Sequence, residues 1–357
     1  MSNIRCLYCV LRKKQNKRFS KTKPPVSELR RDIVSGDWVV IATGRGKRPD
    51  AFKSKPASFF HSRNTCPFED PQSSGHEQPM LKYFKPQSND WFLQVVPNKF
   101  PAFMSKGVCQ VFGKVGPYTT TNGYGFHELF ILEDHKRYAL SLYSKDELAE
   151  LVRAYHERFS ALSEEDCIQY ITIFHNHGRE AGSSIGHPHS QLIAMPVVPP
   201  DVSGSLNGSK RHFHETGQCV HCLMIEFERK EKIRIIFEND AFVVFAPFVS
   251  RAAFEMRIFP KKHQSSFKFL SEKEDRLHLA EALRTALIKL YKGLNDPPFN
   301  FFIHTAPVAG GEYDHYHWHI EVVPKTSVWA GFELGTGIEI SAIEPEKAAK
   351  FLRKIKI

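Results

Sequence analysis

Short apolar runs alternate with polar turns along this chain, and their period separates strands from helices. The segment from Glu28 to Ile41 reads as a strand entry. Trp91 to Val96 is a β-rich run ended by Pro97-Asn98-Lys99-Phe100-Pro101, and Phe126 to Leu132 is a strand ending at Glu133-Asp134-His135. Ser144-Lys-Asp-Glu147 has the form of a capping box, after which Leu148, Leu151, Val152, Tyr155, Phe159 and Leu162 recur at helical spacing. Tyr170 to Phe174 is the next strand. A Gly/Ser-rich turn follows, then a strand carrying His187, His189 and Gln191, closed by Pro196. Pro199-Pro200 with Ser203-Gly-Ser205 reads as a linker.

Past that linker the same order recurs. Cys219-x-x-Cys222 matches Cys66-x-x-Glu69, and the run from Phe254 to His263 matches that from His127 to His135. Ser271-Glu-Lys-Glu274 has the form of a second capping box, before Leu277, Ala280, Leu283, Leu287 and Leu290. Phe299 to Ile303 is a strand, and His315-Tyr-His317-Trp-His319 leads into Ile320 to Val323. His135 and His187 lie 52 residues apart; the same interval separates His263 from His315, with His317 two residues further on. Two copies of one α+β unit follow, over residues 28–204 and 205–357. Each has a mainly antiparallel sheet and a crossover helix, and the two sheets can join into one.

Composition narrows the class. The chain has 357 residues, 41% hydrophobic and 25% charged, as in soluble globular proteins. It holds no run of 18 apolar residues, so no membrane span is expected, and its N-terminus lacks a signal-type apolar core. The net charge is +10, but residues 1–27 hold eight Lys or Arg and no acid. The body is therefore nearly neutral, which argues against a nucleic-acid partner, and the basic tail is expected to be disordered. Seven cysteines without a secretion signal imply a reducing, cytoplasmic compartment. Cys6 and Cys9 form a weak half-site in the tail; Cys109 and Cys167 read as isolated structural residues.

The chemistry concentrates on the strand after the Gly/Ser turn. Residues i, i+2 and i+4 share a strand face, so His187, His189 and Gln191 point one way. The adjacent loop, Gly182 to Gly186 with Ser183 and Ser184, offers N–H groups and hydroxyls to a phosphate, which an imidazole can attack. Cys66, Glu69, His135 and His187 suit a tetrahedral Zn²⁺, as do Cys219, Cys222, His263 and either His315 or His317. A metal on His187 would leave His189 as the nucleophile. The cation cluster Arg45-Gly-Lys-Arg48 reads either as a solvated loop or as a phosphate clamp.

These residues resemble a known family. Asn176-His-Gly178, Ala181-Gly-Ser-Ser184 and His187-Pro-His189-Ser-Gln191 are similar to motifs of the galactose-1-phosphate uridylyltransferase branch of the histidine triad superfamily. So are Arg45-x-x-Arg48-Pro49, Val96 to Pro101, Tyr316 to Glu321, and Gly331 to Gly337. The resemblance implies a fused double histidine-triad fold and nucleotidyl transfer through a covalent nucleotidyl-histidine. It makes His189 the nucleophile, Gln191 the holder of the phosphoryl group, and Ser184 and Asn176 its supports. Arg45, Arg48 and Asn98 become nucleotide and phosphate contacts, and Phe332 and Glu333 part of a hexose site. It implies one or two Zn²⁺ per chain, with Glu69 in place of the usual second cysteine and His317 as the second-site ligand. His319 and Glu321 occupy positions that some relatives use for another metal. The expected reaction is uridylyl transfer between UDP-glucose and galactose 1-phosphate, in a homodimer. ADP-glucose phosphorolysis is the alternative within the family, and a zinc-stabilised nucleotide-binding protein without catalysis is the alternative outside it.

Overall fold

The computed structural model describes residues 27–45, 52, 62–109 and 112–357. Arg48 and the tail with Cys6 and Cys9 lie outside the described residues, as does the side chain of Arg45, which ends a 3₁₀ turn. The described residues form fifteen strands and six helices. The first unit contains β1 (Glu28–Arg31), β2 (Trp38–Ile41), β3 (Leu81–Phe84), β4 (Trp91–Pro97), β5 (Phe112–Val115), β6 (Tyr118–Thr121), β7 (Phe126–Leu132), α1 (Lys145–Leu162), β8 (Tyr170–His177) and β9 (His189–Met195). Then come α2 (Pro200–Thr216), α3 (Val220–Glu231), β10 (Ile235–Glu238), β11 (Phe242–Phe245), β12 (Met256–Pro260), α4 (Lys273–Leu294), β13 (Phe299–His304), β14 (His319–Pro324), α5 (Gly331–Thr336), β15 (Glu339–Ser341) and α6 (Pro345–Lys354).

Ten strands make one sheet in the order β10-β11-β12-β14-β13-β8-β9-β7-β4-β3. Every pairing in it is antiparallel. The order is symmetric about the β13–β8 junction, so the expected duplication and fused sheet are borne out. At that junction Asn300 pairs with Asn176 and Phe302 with Phe174. The crossover helices α1 and α4 cover one face, where Leu148, Leu151, Tyr155 and Phe159 meet Leu279, Leu283, Leu287 and Leu290 in one core. Full burial of such side chains contributes about 1.5–3 kcal/mol each. The opposite face is left for chemistry. A smaller sheet, β1-β2-β15, stands apart from the large one, as does the β5–β6 hairpin.

Three local readings are corrected. Residues 199–205 are no linker: Pro200 sits in the first turn of α2, where a missing N–H costs nothing. Gly208 lets α2 lie against the chain at Val34, whose carbonyl oxygen occupies the place a Cβ would take. The residue 204/205 boundary thus falls inside a helix. The Ser144–Glu147 capping box forms, with the Glu147 N–H on Ser144 Oγ at 3.2 Å and the Ser144 N–H on Glu147 Oε2 at 2.8 Å. Ser271 forms none: α4 begins one residue later, Glu272 is its N-cap, and the Ser271 carbonyl accepts from Arg276 instead. Finally, Cys109 and Cys167 are not isolated. They form a disulfide with Cα atoms 5.7 Å apart, because the chain before β5 folds against the turn that leads to β8.

A half-buried ionic clamp fastens α6 to the chain beside it. Glu346 Oε1 accepts from Arg30 at 3.1 Å and from Arg234 at 2.8 Å. Burial pushes the Glu346 carboxyl up, but the hydrogen bonds from Arg30 and Arg234 outweigh it and hold the group below its usual range. Glu346→Gln is expected to lower stability by about 1–3 kcal/mol at neutral pH, read from urea unfolding. Because the folded pKa is depressed, this advantage is complete above the unfolded value. It shrinks as pH falls below about 4.5 and vanishes beneath the folded pKa.

Candidate active site

The β9 strand presents His189 and Gln191 on the open face, while Ser190 between them points at the helices. There the Ser190 hydroxyl accepts from Tyr155 OH at 2.5 Å and faces His175 Nδ1 at 3.1 Å, which pins the strand from behind. His189 Nδ1 lies 2.8 Å from the His187 carbonyl oxygen. Only a protonated Nδ1 can make that bond, so the lone pair resides on Nε2. Burial lowers the His189 pKa below the usual histidine value, against the smaller opposing effect of the His187 carbonyl, and keeps the ring neutral. Phe68 stacks edge-on against it with ring centres 5.0 Å apart.

Asn176 and the loop to His187 form a small cradle of about 20 Å³, lined also by Gly178, Ser183 and Gly186. Gly178 and Gly182 take φ of +84° and +88°, a left-handed turn that glycine adopts without strain. The Ser183 hydroxyl donates to the Ile185 carbonyl at 2.9 Å, whereas Ser184 is exposed. Sequence reasoning missed Asn300. From β13 of the second unit it donates to Asn176 Oδ1 and to the Ala181 carbonyl, both at 2.8 Å, and so ties the loop to the other half of the fold. It also missed the function of His127, which joins Gln191 to Asn98 with contacts of 2.8 and 3.1 Å. Its place in the repeated strand was the available signal.

Two clusters have the geometry of metal centres. Donors 2.0–2.3 Å from a tetrahedral ion stand about 3.3–3.8 Å apart. In the second unit Cys219, Cys222, His263 and His317 offer ligand atoms all within 4.8 Å of one another. Cys222 Sγ lies 3.3 Å from His263 Nδ1 and 3.5 Å from His317 Nδ1. The structure therefore selects His317, and not His315, which the repeat spacing alone favours. The hydrogen bond between the two thiols lowers the pKa of Cys219 and raises that of Cys222.

In the first unit Cys66, His135 and His187 form the mutual group. Cys66 Sγ is 3.5 Å and His135 Nδ1 is 3.2 Å from His187 Nδ1. The other nitrogen of His187 bonds the Leu132 carbonyl, which orients the ring. Glu69 is not within common reach of all three. Its Oε1 contacts His135 Nδ1 at 3.1 Å, while Arg63 holds Oε2 at 2.9 Å. Apart from that contact with His135, Oε1 is buried with no hydrogen-bond partner, as a carboxylate oxygen facing a cation would be. The residues present thus fit two Zn²⁺ sites, the second more completely.

A third group, His304, His319 and Glu321, occupies the matching place in the second unit. His319 Nδ1 contacts the His317 carbonyl at 3.1 Å, repeating the His189–His187 bond. Glu321 stands where Gln191 stands, held by Arg251 and by Arg257 at 3.1 Å. An ionised carboxylate cannot donate to a phosphoryl oxygen, so the duplicate lacks what Gln191 supplies. Phe332 is exposed and Glu333 half-buried, and neither lines the cavity at His187. Glu333 accepts from the Ala330 N–H at 3.0 Å at the start of α5.

The fold and this site define a nucleotidyltransferase of histidine-triad type, and comparison with known proteins agrees. Residues 18–199 match the family model described as galactose-1-phosphate uridyl transferase, N-terminal domain, and residues 133–355 match a domain of unknown function, DUF4921. The chain is 37% identical over 337 residues to ADP-glucose phosphorylase of Arabidopsis thaliana, covering 92% of this chain and 93% of that protein. It is 27% identical over 338 residues to galactose-1-phosphate uridylyltransferase of Thermotoga maritima, covering 92% and 99%. The crystal structure of an Arabidopsis thaliana ADP-glucose phosphorylase with bound ADP-glucose superposes with a TM-score of 0.76 at 34% identity, covering 93% of this chain and all of that one. The chain belongs to the galactose-1-phosphate uridylyltransferase family. Among the described residues no helix is long and apolar enough to cross a membrane.

Proposed function

We propose that the protein is an ADP-glucose phosphorylase acting through an adenylyl-His189 intermediate. The supporting observation is the 37% identity to ADP-glucose phosphorylase along nearly the full length of both chains. This reverses the order expected from motifs alone, which put UDP-glucose first. Those motifs are common to both branches and leave the nucleobase open.

His189 Nε2 attacks the α-phosphorus of ADP-glucose. The bond to the bridging oxygen breaks, and glucose 1-phosphate leaves. An oxygen of inorganic phosphate then attacks the same phosphorus, the P–N bond breaks, and ADP departs with Nε2 free again. The His187 carbonyl holds the Nδ1 proton and so keeps the nucleophilic lone pair on Nε2 throughout. The Gln191 amide and the N–H groups of the loop beside Ser183 stabilise the equatorial oxygens. Asn176, held by Asn300, fixes that loop. Asn98, Ser184, Arg45 and Arg48 are assigned to the nucleotide and its phosphates, and Phe332 and Glu333 to the hexose. Zn²⁺ at both centres would supply structural restraint, anchoring His187 next to the nucleophile; no step of the transfer uses it.

Uridylyl transfer to galactose 1-phosphate is the second reading, favoured by the match of residues 18–199 to the uridyl transferase family model. Incubation with ADP-glucose or UDP-glucose labelled in the α-phosphate separates the two. Label retained on the denatured protein from ADP-glucose, and not from UDP-glucose, is the expected result. Elemental analysis is expected to give about two Zn per chain; about one would mean that Glu69 fails to complete the first site. The homodimer implied by the family is checked by sedimentation equilibrium.

A further inference from the structure

We propose that His127 is a positioning residue for the transfer, setting which end of the Gln191 amide meets the phosphoryl group. The inference rests on the function proposed above and adds a residue to it.

The His127 ring lies between a backbone donor and the Gln191 side chain. The Ala102 N–H donates to Nδ1 at 3.1 Å, and a backbone N–H has no other role available. Nδ1 is therefore unprotonated. Burial lowers the His127 pKa against a smaller effect of Gln191, so the ring is neutral and its single proton is on Nε2. Two side chains lie near that proton. Asn98 Oδ1 accepts from the Phe100 N–H at 2.9 Å, which turns the Asn98 NH₂ toward His127, 3.1 Å from Nε2. An NH₂ cannot accept the proton. Gln191 Oε1, at 2.8 Å, can.

With Oε1 bound to His127, the NH₂ end of Gln191 is the end left for substrate. An NH₂ donates to a non-bridging phosphoryl oxygen, whereas Oε1 would repel it. The amide thus acts as an oriented donor because a ring on the neighbouring strand forbids the flip. The second unit shows the contrast: its Glu321 is held by Arg257 and Arg251, partners suited to a carboxylate.

Two substitutions divide the ring's functions. His127→Asn keeps an acceptor for the Ala102 N–H but is too short to reach Gln191. His127→Gln keeps a donor at the Nε2 position. The readout is the single-turnover rate of nucleotidyl-His189 formation from ADP-glucose, or from UDP-glucose if the wild type uses that. His127→Asn is expected to slow it about 10- to 100-fold, and His127→Gln to restore it to within about 5-fold, with both variants folded by circular dichroism. In a Gln191→Ala background His127→Asn is expected to cost less than about 3-fold more, because the group it orients is gone. If His127→Asn instead matches the wild type, or its loss is undiminished in the Gln191→Ala background, the inference is wrong. If His127→Asn does not fold, the comparison of His127→Gln with and without Gln191→Ala decides by the same additivity criterion. A wild type that forms no adduct from either nucleotide sugar overturns the functional reading and this inference with it.

Discussion

Replacing His189 with alanine is expected to abolish adduct formation and to lower turnover by about 10⁴-fold or more, with the fold intact. The size follows from how much of the site converges on one atom. The ring is buried and neutral, its Nδ1 proton is given to the His187 carbonyl, and Nε2 alone carries the lone pair. Among the described residues the matching histidine of the second unit lacks the same surroundings. His319 repeats the carbonyl bond, but its neighbour Glu321 is a buried carboxylate held below its usual pKa range: burial pushes it up, and Arg251 and Arg257 outweigh that effect. A negative group there opposes an incoming phosphate. Single-turnover assays with each nucleotide sugar check the loss, and thermal unfolding checks that the variant is folded.

The second large effect concerns the proposed metal centre of the C-terminal unit. Cys222→Ser is expected to remove about one Zn per chain and to destabilise the protein by several kcal/mol, lowering Tm by roughly 10 °C. Four elements meet at this centre: the turn before α3, α3 itself, the end of β12 and the strand entry at His317. Losing the ion leaves the buried Cys219 thiol, the buried His317 imidazole and the exposed His263 imidazole without their common partner. Activity should fall much less than in His189→Ala, because the centre is remote in sequence and role from the nucleophile. Metal content by elemental analysis and differential scanning calorimetry read the two effects. An unchanged Zn content would exclude Cys222 as a ligand.

The repeat made the large sheet and its crossover helices legible in the sequence. The equal spacing of His135–His187 and His263–His315 announced a duplication, and the symmetric strand order follows from it. The repeat was less reliable residue by residue. Spacing pointed to His315, but strand entry at β14 turns His317 toward Cys222. Pro199-Pro200 looked like a break because proline ends helices more visibly than it begins them, and here it begins one. The Cys109–Cys167 pair could not be read from a separation of 58 residues in sequence, since pairing depends on how the chain before β5 lies in space.

The site divided in the same way. The motif residues His189 and Gln191 were visible as alternate positions on one strand, and the structure keeps them there; His187, read as sharing that strand, lies two residues before β9, in the loop that leads into it. Asn300 and His127 were not visible. Each acts through another side chain, and the contacts that give it a role span 124 residues to Asn176 and 64 to Gln191. Glu69 was seen as the departure from a two-cysteine pattern, and the structure places it beside His135 while leaving it outside the mutual group.

The central claim is that His189 carries an adenylyl group taken from ADP-glucose. Peptide mass spectrometry after brief incubation with ADP-glucose, under conditions that preserve acid-labile phosphoramidates, tests it directly. The account predicts one adenylyl adduct on the peptide containing His189, released as ADP when inorganic phosphate is added, and none in His189→Ala. An adduct on another residue, an adduct obtained from UDP-glucose and not from ADP-glucose, or no adduct at all would contradict it.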